Sequence, residues 1–268
     1  MNIPMPRDPS IIAIIQARMG SSRLPGKVLR DIGGKPMLYR VVVRARRAQT
    51  IGQVVVATTW DVDDDPVAVY CRAQGFPLYR GDPLDVLDRY YRAAQLFDAQ
   101  TIVRLTGDCP LIDPREIDRT VQAFWEAGVD FAANRLPPPW ERTTPIGMDT
   151  EVVTFSVLEQ AWQEADQKHQ REHVMPYFYE EQGRFKVLLV DHDPDLGHLR
   201  LTVDTPEDLT LVRKISEYFG NADSFSLNEI VKLLNRHPDW QAINAGVSHK
   251  GYLDVDQRNG APFGENDE

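Results

Sequence analysis

Short apolar runs alternate with longer amphipathic segments along most of this chain, and the alternation restricts the folds that are open to it. Strands that alternate with helices in this way are typical of α/β proteins with a largely parallel sheet. The runs expected to form strands are 11–15, 53–58, 101–105, 129–133, 185–190 and 199–203, with 146–154 as a further candidate.

Amphipathic periodicity fills the intervals between these runs. The predicted helices are 36–48, 64–74, 83–97, 114–127, 156–166, 171–182, 206–219 and 226–236. In the helix at 83–97 we expect Asp82 to be the N-cap and Pro83 the first helical residue. Four prolines make 134–145 a loop, which is either part of a functional site or a surface connection.

The domain organisation follows from length and composition. The 268 residues fit a single domain at 11–245, with an extension at 1–10 before it and 226–236 as an appended helix. The polar segment 246–268 is expected to be a poorly ordered tail.

Composition also bears on location. The sequence contains no apolar run near the roughly 20 residues of a membrane helix and no apparent secretory signal. Its two cysteines, Cys71 and Cys109, fit no zinc motif. We therefore expect a cytoplasmic protein that does not enter a membrane.

The charge is distributed unevenly. The chain carries a net −10, which argues against nucleic acid as a partner, yet residues 1–50 hold ten basic and two acidic residues, a net +8. The excess surrounds a glycine-rich stretch and predicts an anionic ligand there. Arg44, Arg46 and Arg47 are interpreted instead as the solvated face of a helix.

The glycine-rich stretch follows the apolar run at 11–15. Small residues, including Gly20 and Ser22, lie between Arg18 and the pair Arg23 and Lys27. Small residues let backbone N–H groups approach phosphate oxygens, and the cations neutralise them. The stretch matches neither GxxxxGK[ST] nor GxGxxG, which disfavours kinases, GTPases and dehydrogenases. It predicts a triphosphate site; a basic surface turn is the less favoured alternative, because three cations within ten residues follow a buried strand.

Two aspartates follow apolar runs further along the chain. Asp108 lies in a Thr106–Gly107–Asp108 turn, and Asp204 precedes Thr205 and Pro206. Two carboxylates at neighbouring strand ends are suited to Mg²⁺, which prefers oxygen ligands together with substrate phosphates. Each aspartate alone is more typical of a turn or a helix start.

Together these segments resemble a known family. IIQARMGSSRLPGKVL is similar to the opening signature of the cytidylyltransferases that make CMP-sialic acid and CMP-3-deoxy-manno-octulosonate. Gln16, where those enzymes more often carry Pro, makes it resemble the spore-coat polysaccharide biosynthesis branch. LTGDCPLIDP, GMDTEVVTF, REHVMPYFYE and HLRLTVDTPEDLTLVRKI resemble that branch too. The resemblance covers residues 11–220.

This resemblance implies a Rossmann-like three-layer α/β/α sandwich of the nucleotide-diphospho-sugar transferase type. It implies a cytidylyltransferase that moves CMP from CTP to an acidic sugar or similar small acceptor, releasing pyrophosphate, and it implies a homodimer. Polysaccharide or glycoconjugate biosynthesis is the implied setting.

Site residues are carried over by motif position. Ala17 and Arg18 would meet the nucleotide, Arg23 and Lys27 would hold the triphosphate, and Asp108 and Asp204 would hold Mg²⁺. Arg23, Lys27 and Asp108 would form the catalytic set. The remaining nucleotide-binding candidates are Gly20, Ser22, Thr58, Thr59 and Thr106. Related enzymes often carry at the position of Thr106 a Gln that helps read cytosine, so the choice of base stays open.

Acceptor binding is the least constrained part of the prediction. The candidates are Arg80, Asp82, Arg89, Asp149, Glu151, Arg171 and His173. An ion pair with Asp82 is an equally good interpretation of Arg80, and a structural role is favoured for His173. Other functions left open are another nucleotide or a phosphate or phosphonate acceptor, a glycosyltransferase of related fold, and a silent nucleotide-binding protein.

Overall fold

The computed structural model describes residues 7–248. Its strands are β1 Asp8–Gln16, β2 Asp31–Ile32, β3 Lys35–Pro36, β4 Ile51–Thr59, β5 Leu78–Gly81, β6 Thr101–Thr106, β7 Phe131–Ala133, β8 Glu151–Thr154 and β9 Val187–Leu189. Seven of them form one sheet in the order β5-β4-β1-β6-β8-β7-β9, and β2 and β3 form a separate hairpin. Only β8 runs antiparallel to its neighbours in the large sheet.

Helices cover both faces of this sheet. They are α1 Met37–Ala45, α2 Asp65–Ala73, α3 Val86–Leu96, α4 Pro114–Ala127, α5 Phe155–Glu164, α6 Lys168–His173, α7 Pro176–Tyr179, α8 Pro206–Tyr218, α9 Leu227–Arg236 and α10 Pro238–Gln241. One core lies between the sheet and α1, α2, α4, α8 and α9, and a second lies between the sheet and α3, α5 and α7. The three layers confirm the predicted mainly parallel α/β/α sandwich.

The central strand β1 positions the site. Its residues 11–15 are almost completely buried, because it pairs in parallel with β4 on one side and β6 on the other. Gln16 and Thr106, the last residues of β1 and β6, are in register with each other and with Ala57, two residues before the end of β4. The carboxyl edge of such a sheet is where open α/β proteins bind ligands.

Two predicted helices differ from the observed ones. The helix predicted at 83–97 begins at Val86, because Asp85 is its N-cap, while Asp82 accepts a hydrogen bond from Leu84 N at 2.7 Å in the preceding turn. The helix predicted at 171–182 is divided into α6 and α7. Val174 adopts a left-handed φ of 69°, which ends α6, and Pro176 begins α7.

The segment predicted as a strand at 199–203 is not one. Leu201 N donates to Ile146 O at 2.7 Å and Val203 N donates to Asp108 O at 2.9 Å. Because these partners belong to two separate segments, no continuous ladder forms. Strand β5 and the short β2–β3 hairpin were not predicted.

Arg44 corrects the interpretation of the α1 arginines. Its side chain is fully buried and donates to backbone oxygens of Leu111, Ile112 and Phe225. It therefore ties α1 to the loop before α4, whereas Arg46 and Arg47 are exposed as expected.

Helix α9 is an integral part of the molecule, since its buried leucines join the same core as α8. Of the extension predicted at 1–10, residues 8–10 are part of β1, and 1–6 lie outside the described residues. The tail predicted at 246–268 lies outside them from 249 onward. Within 7–248, none of the helices combines the length and apolar character needed to cross a bilayer.

Candidate active site

Lys27 lies at the centre of an ionic cluster at the carboxyl edge of the sheet. Its Nζ donates to Asp108 Oδ2 at 2.7 Å, to Asp204 Oδ1 at 2.8 Å and to the carbonyl oxygen of Val203 at 3.1 Å. Burial lowers the pKa of Lys27, but the two carboxylates outweigh burial and hold it above its ordinary value. The side chain therefore remains protonated at neutral pH.

The glycine-rich loop delivers Lys27 to this position. Gly26 has a left-handed φ of +67°, which glycine adopts without steric cost, and its N–H donates to Met19 O at 2.9 Å. The loop thus closes on itself, and Lys27 begins a short 3₁₀ turn that buries Val28 in the core. Asp64 holds the start of the loop by accepting from Met19 N at 2.6 Å.

Asp108 is held by a close approach of two strand ends. Gly107 N donates to Gln16 O at 2.9 Å, and a Cβ on Gly107 would lie 2.9 Å from that same oxygen, so a larger residue would push the strands apart. The hydroxyl of Thr106 donates to Asp108 Oδ1 at 2.6 Å. Both carboxylate oxygens therefore accept a hydrogen bond, Oδ1 from Thr106 and Oδ2 from Lys27.

Asp204 is the most heavily paired carboxylate of the cluster. Besides Lys27, its Oδ2 lies 2.9 Å from Arg23 Nη2 and 2.8 Å from Arg200 Nη2. Burial raises the pKa of Asp204, but Lys27 and these guanidinium groups outweigh burial and lower it to about 2. Asp208 positions Arg200 in turn, because its Oδ1 accepts a hydrogen bond from Arg200 Nε at 2.9 Å.

Asp108 and Asp204 fit a divalent cation. Their oxygens converge on the single point occupied by the Lys27 ammonium, and carboxylates combined with substrate phosphates are the ligands that Mg²⁺ prefers. A third protein ligand is not at hand, since the described part of the chain contains no cluster of three or more His, Cys, Asp or Glu side chains suited to a metal. A bound nucleotide would have to supply the other ligands.

A second group of polar atoms lies on the α3 face of the same edge. Arg89 is 3% exposed, and its Nε and Nη1 have no hydrogen-bond partner within residues 7–248. Burial and the nearby Arg18 lower its pKa. Gln16 Oε1 and, on the opposite face of the sheet, Thr58 Oγ1 are also buried without partners in that range.

Several predicted site residues have structural partners. Arg80 donates to Thr59 O at 2.7 Å and pairs with Asp65 at 2.7 Å, rather than with Asp82. The ion pair suggested between Arg80 and Asp82 is therefore wrong. Thr59 itself donates to Asp64.

Three further acceptor candidates are also engaged. Arg171 pairs with Asp85 at the start of α3, and Glu151 forms an ion pair with Arg104; both pairs are partly buried. Asp149 accepts from Arg142 Nη1 at 2.7 Å and interacts electrostatically with Cys109 beside Asp108. Among these, Asp149 is the one placed next to the ionic cluster.

Asp149 gives a pH-dependent prediction. Burial raises its pKa, but Arg142 and Arg135 outweigh burial and hold it below the ordinary value of 3.8. A depressed folded-state pKa contributes stability that is present above the unfolded pKa and is lost as the pH falls through the folded value. The difference in free energy of unfolding between wild type and Asp149→Asn should be constant from about pH 5 to 7 and shrink below about pH 4. Urea denaturation at each pH measures it, and a difference that grows on acidification would contradict the assignment.

Sequence reasoning missed the residues that support the cluster. Asp64 holds the start of the loop, and Arg200 pairs with Asp204. Asn244 supports Asp208, because its Nδ2 donates to Asp208 Oδ1 at 2.8 Å. Arg200 offered one signal, a charge within an apolar run. Asp64 and Asn244 lie in polar segments, where the sequence offers none.

Comparison with known proteins agrees with this geometry. A family model described as cytidylyltransferase matches residues 12–244. The spore coat polysaccharide biosynthesis protein SpsF of Bacillus subtilis is 34% identical over 236 residues, which are 85% of this chain and 95% of that protein. A 3-deoxy-manno-octulosonate cytidylyltransferase of Mesorhizobium japonicum is 43% identical over 129 residues, 46% of this chain and 51% of that enzyme.

The fold comparison gives the same result. A solved structure of a cytidylyltransferase from Leptospira borgpetersenii superposes with a TM-score of 0.82 and 33% sequence identity, over 90% of this chain and 99% of that one. The resemblance carried by the sequence motifs is thereby confirmed. This chain belongs to the cytidylyltransferase family and is a nucleotidyltransferase.

Proposed function

We propose that this protein transfers CMP from CTP to an acidic sugar or similar small acceptor, with release of pyrophosphate, in polysaccharide or glycoconjugate biosynthesis. The observation that carries the proposal is the convergence of Lys27, Asp108 and Asp204 beside the glycine-rich loop. A cytoplasmic homodimer that uses Mg²⁺ is part of the same proposal.

The reaction is a displacement at the α-phosphate. An acceptor oxygen forms a bond to the α-phosphorus, the bond from that phosphorus to the bridging oxygen breaks, and pyrophosphate leaves. Lys27 and Arg23 bind the β- and γ-phosphates and neutralise the leaving group. Asp108 and Asp204 would hold Mg²⁺, which would supply further positive charge to the phosphate oxygens. Because Asp108 is assigned to the metal and its Oδ1 also accepts from Thr106, we assign the acceptor proton to solvent.

Arg89 supports an acidic acceptor. Asp64 and Asp82 act on the Arg89 guanidinium electrostatically but form no ion pair with it within residues 7–248, so a ligand carboxylate in direct contact would offset the cost of its burial. Arg89 lies at the carboxyl edge, with its side chain against Gly81 at the end of β5. We assign it to the carboxylate of the acceptor.

Thermal denaturation with each of the four nucleoside triphosphates, with and without Mg²⁺, tests the nucleotide part of the proposal. A ligand that binds only the folded state stabilises it, by about 2.7 kcal/mol when the ligand concentration is 100 times its Kd, and so raises the melting temperature. We expect the largest rise with CTP and Mg²⁺. A selective rise with UTP would keep the mechanism and overturn the cytidine assignment. A rise with nucleotide sugars and none with triphosphates would favour a glycosyltransferase.

A further inference from the structure

Gln16 is the last residue of the central strand β1, and its side-chain oxygen is an unusual feature of this edge. Oε1 is buried and has no hydrogen-bond partner within residues 7–248. By the two-residue alternation of a strand, Gln16 lies on the same face as Ile12 and Ile14, which pack against α3. The Gln16 amide therefore follows the apolar side chains of Ile12 and Ile14 on this face of the strand, and its unpaired oxygen lowers the stability of the ligand-free protein.

The neighbours of Gln16 leave room and polar capacity for a ligand. In register beside it are Ala57, which has only a methyl group, and Thr106, whose hydroxyl is already bonded to Asp108. The backbone oxygen of Gln16 accepts from Gly107 N, so this side chain is one strand away from the turn that carries Asp108. A nucleotide whose phosphates meet Lys27 would have its base within reach of this part of the edge.

The chemistry of the amide matches a nucleobase. A glutamine side chain offers one acceptor and two donors side by side. Of its neighbours in the same register, Ala57 offers neither and Thr106 already donates its hydroxyl proton to Asp108. Cytosine presents a matching pair, its N4 amino donor next to its N3 acceptor, and uracil presents the reverse pair. Resting on the proposed use of CTP, we infer that Gln16 reads the base in the amide orientation of this structure, accepting from N4 and donating to N3. Uracil would be matched only by the amide turned over, so keeping this orientation selects cytosine over uracil.

The test compares equilibrium binding of CTP and UTP, each with Mg²⁺, to wild type, Gln16→Leu and the matched control Gln53→Leu. Gln53 is another half-buried glutamine, in β4 opposite Ile12 and away from the carboxyl edge. We expect Gln16→Leu to weaken CTP binding about tenfold or more while UTP binding changes little, so that the preference for CTP disappears. The ligand-free melting temperature of this variant should not fall, because an unpaired polar atom has been removed. Gln53→Leu should leave both affinities unchanged.

Three results would overturn the inference. They are equal binding of CTP and UTP by wild type, an unchanged CTP-to-UTP ratio in Gln16→Leu, and an equal loss of both nucleotides, which indicates a structural role. Binding is measured independently of turnover, so the two proposals fail separately. Selective CTP binding by wild type that is lost in Gln16→Leu supports the inference even if no pyrophosphate is released, a result that would contradict only the proposed function.

Discussion

Replacing Lys27 by methionine is expected to lower Mg²⁺-dependent pyrophosphate release from CTP by at least about 10²-fold. The Lys27 ammonium is held between two carboxylates and stays protonated, so it is the cation best placed to neutralise the leaving phosphates. Methionine keeps the length and much of the volume of the side chain, so the loss isolates the charge. Steady-state turnover with CTP and an acidic acceptor measures the effect.

The same substitution should have an opposite effect on metal binding. In the ligand-free protein Lys27 Nζ occupies the point on which Asp108 and Asp204 converge, so it competes with a divalent cation for both carboxylates. Lys27→Met should therefore bind Mg²⁺ more tightly in the absence of nucleotide. Lys232→Met, on the exposed side of α9, is the control and should change neither quantity. Full turnover by Lys27→Met would remove Lys27 from the mechanism.

Replacing Arg89 by methionine is expected to stabilise the ligand-free protein and to weaken its activity. The change removes a buried cation whose Nε and Nη1 have no hydrogen-bond partner within residues 7–248, and we expect a gain of about 1 kcal/mol or more, since replacing buried ionic groups by apolar side chains of similar size often stabilises a protein by about 1–4 kcal/mol. At this chain length, 1 kcal/mol raises the melting temperature by about 2–4 °C. The loss of a charged hydrogen bond to the acceptor should lower turnover about 10- to 100-fold, and the affinity for CTP should stay within about twofold.

A second buried arginine provides the control for this prediction. Arg40 is 2% exposed, but it donates to the carbonyl oxygens of Ile32, Gly33 and Asn221 and pairs with Asp223. Arg40→Met leaves these acceptors unpaired and should lower the melting temperature. If Arg89→Met also lowers it, Arg89 is a structural residue, and if CTP affinity falls instead of acceptor-dependent turnover, Arg89 binds the nucleotide phosphates.

Most of the fold could be predicted because its signals are local. The apolar run at 11–15 and the helical periodicity at 114–127 each specify one element, and α4 has the predicted bounds. The errors occur where long-range contacts decide. Residues 199–203 are apolar enough for a strand, but their hydrogen bonds go to Ile146 and Asp108 on different segments, which no local pattern encodes. Arg44 is charged, yet four carbonyl oxygens distant in sequence make its burial possible.

The candidate site was predictable to the extent that its residues belong to motifs. The loop carrying Arg23 and Lys27 is continuous in sequence, and the structure brings it to Asp108 and Asp204, which lie 81 and 177 positions from Lys27. Nothing local indicated that Lys27 would bridge both aspartates. The amide of Gln16 was recognised only as a difference in a motif, because its unpaired oxygen is a property of the packed sheet.

The most direct test of the account follows the phosphorus atoms of CTP. Wild-type protein is incubated with Mg²⁺, an acidic sugar, and CTP labelled with ³²P at either the α- or the γ-phosphate. Attack at the α-phosphate predicts that the α-label appears on the acceptor and the γ-label in pyrophosphate, with both signals reduced together in Lys27→Met. Transfer of the γ-label to the acceptor, or label transfer that is unchanged in Lys27→Met, would contradict the role given to the cluster of Lys27, Asp108 and Asp204.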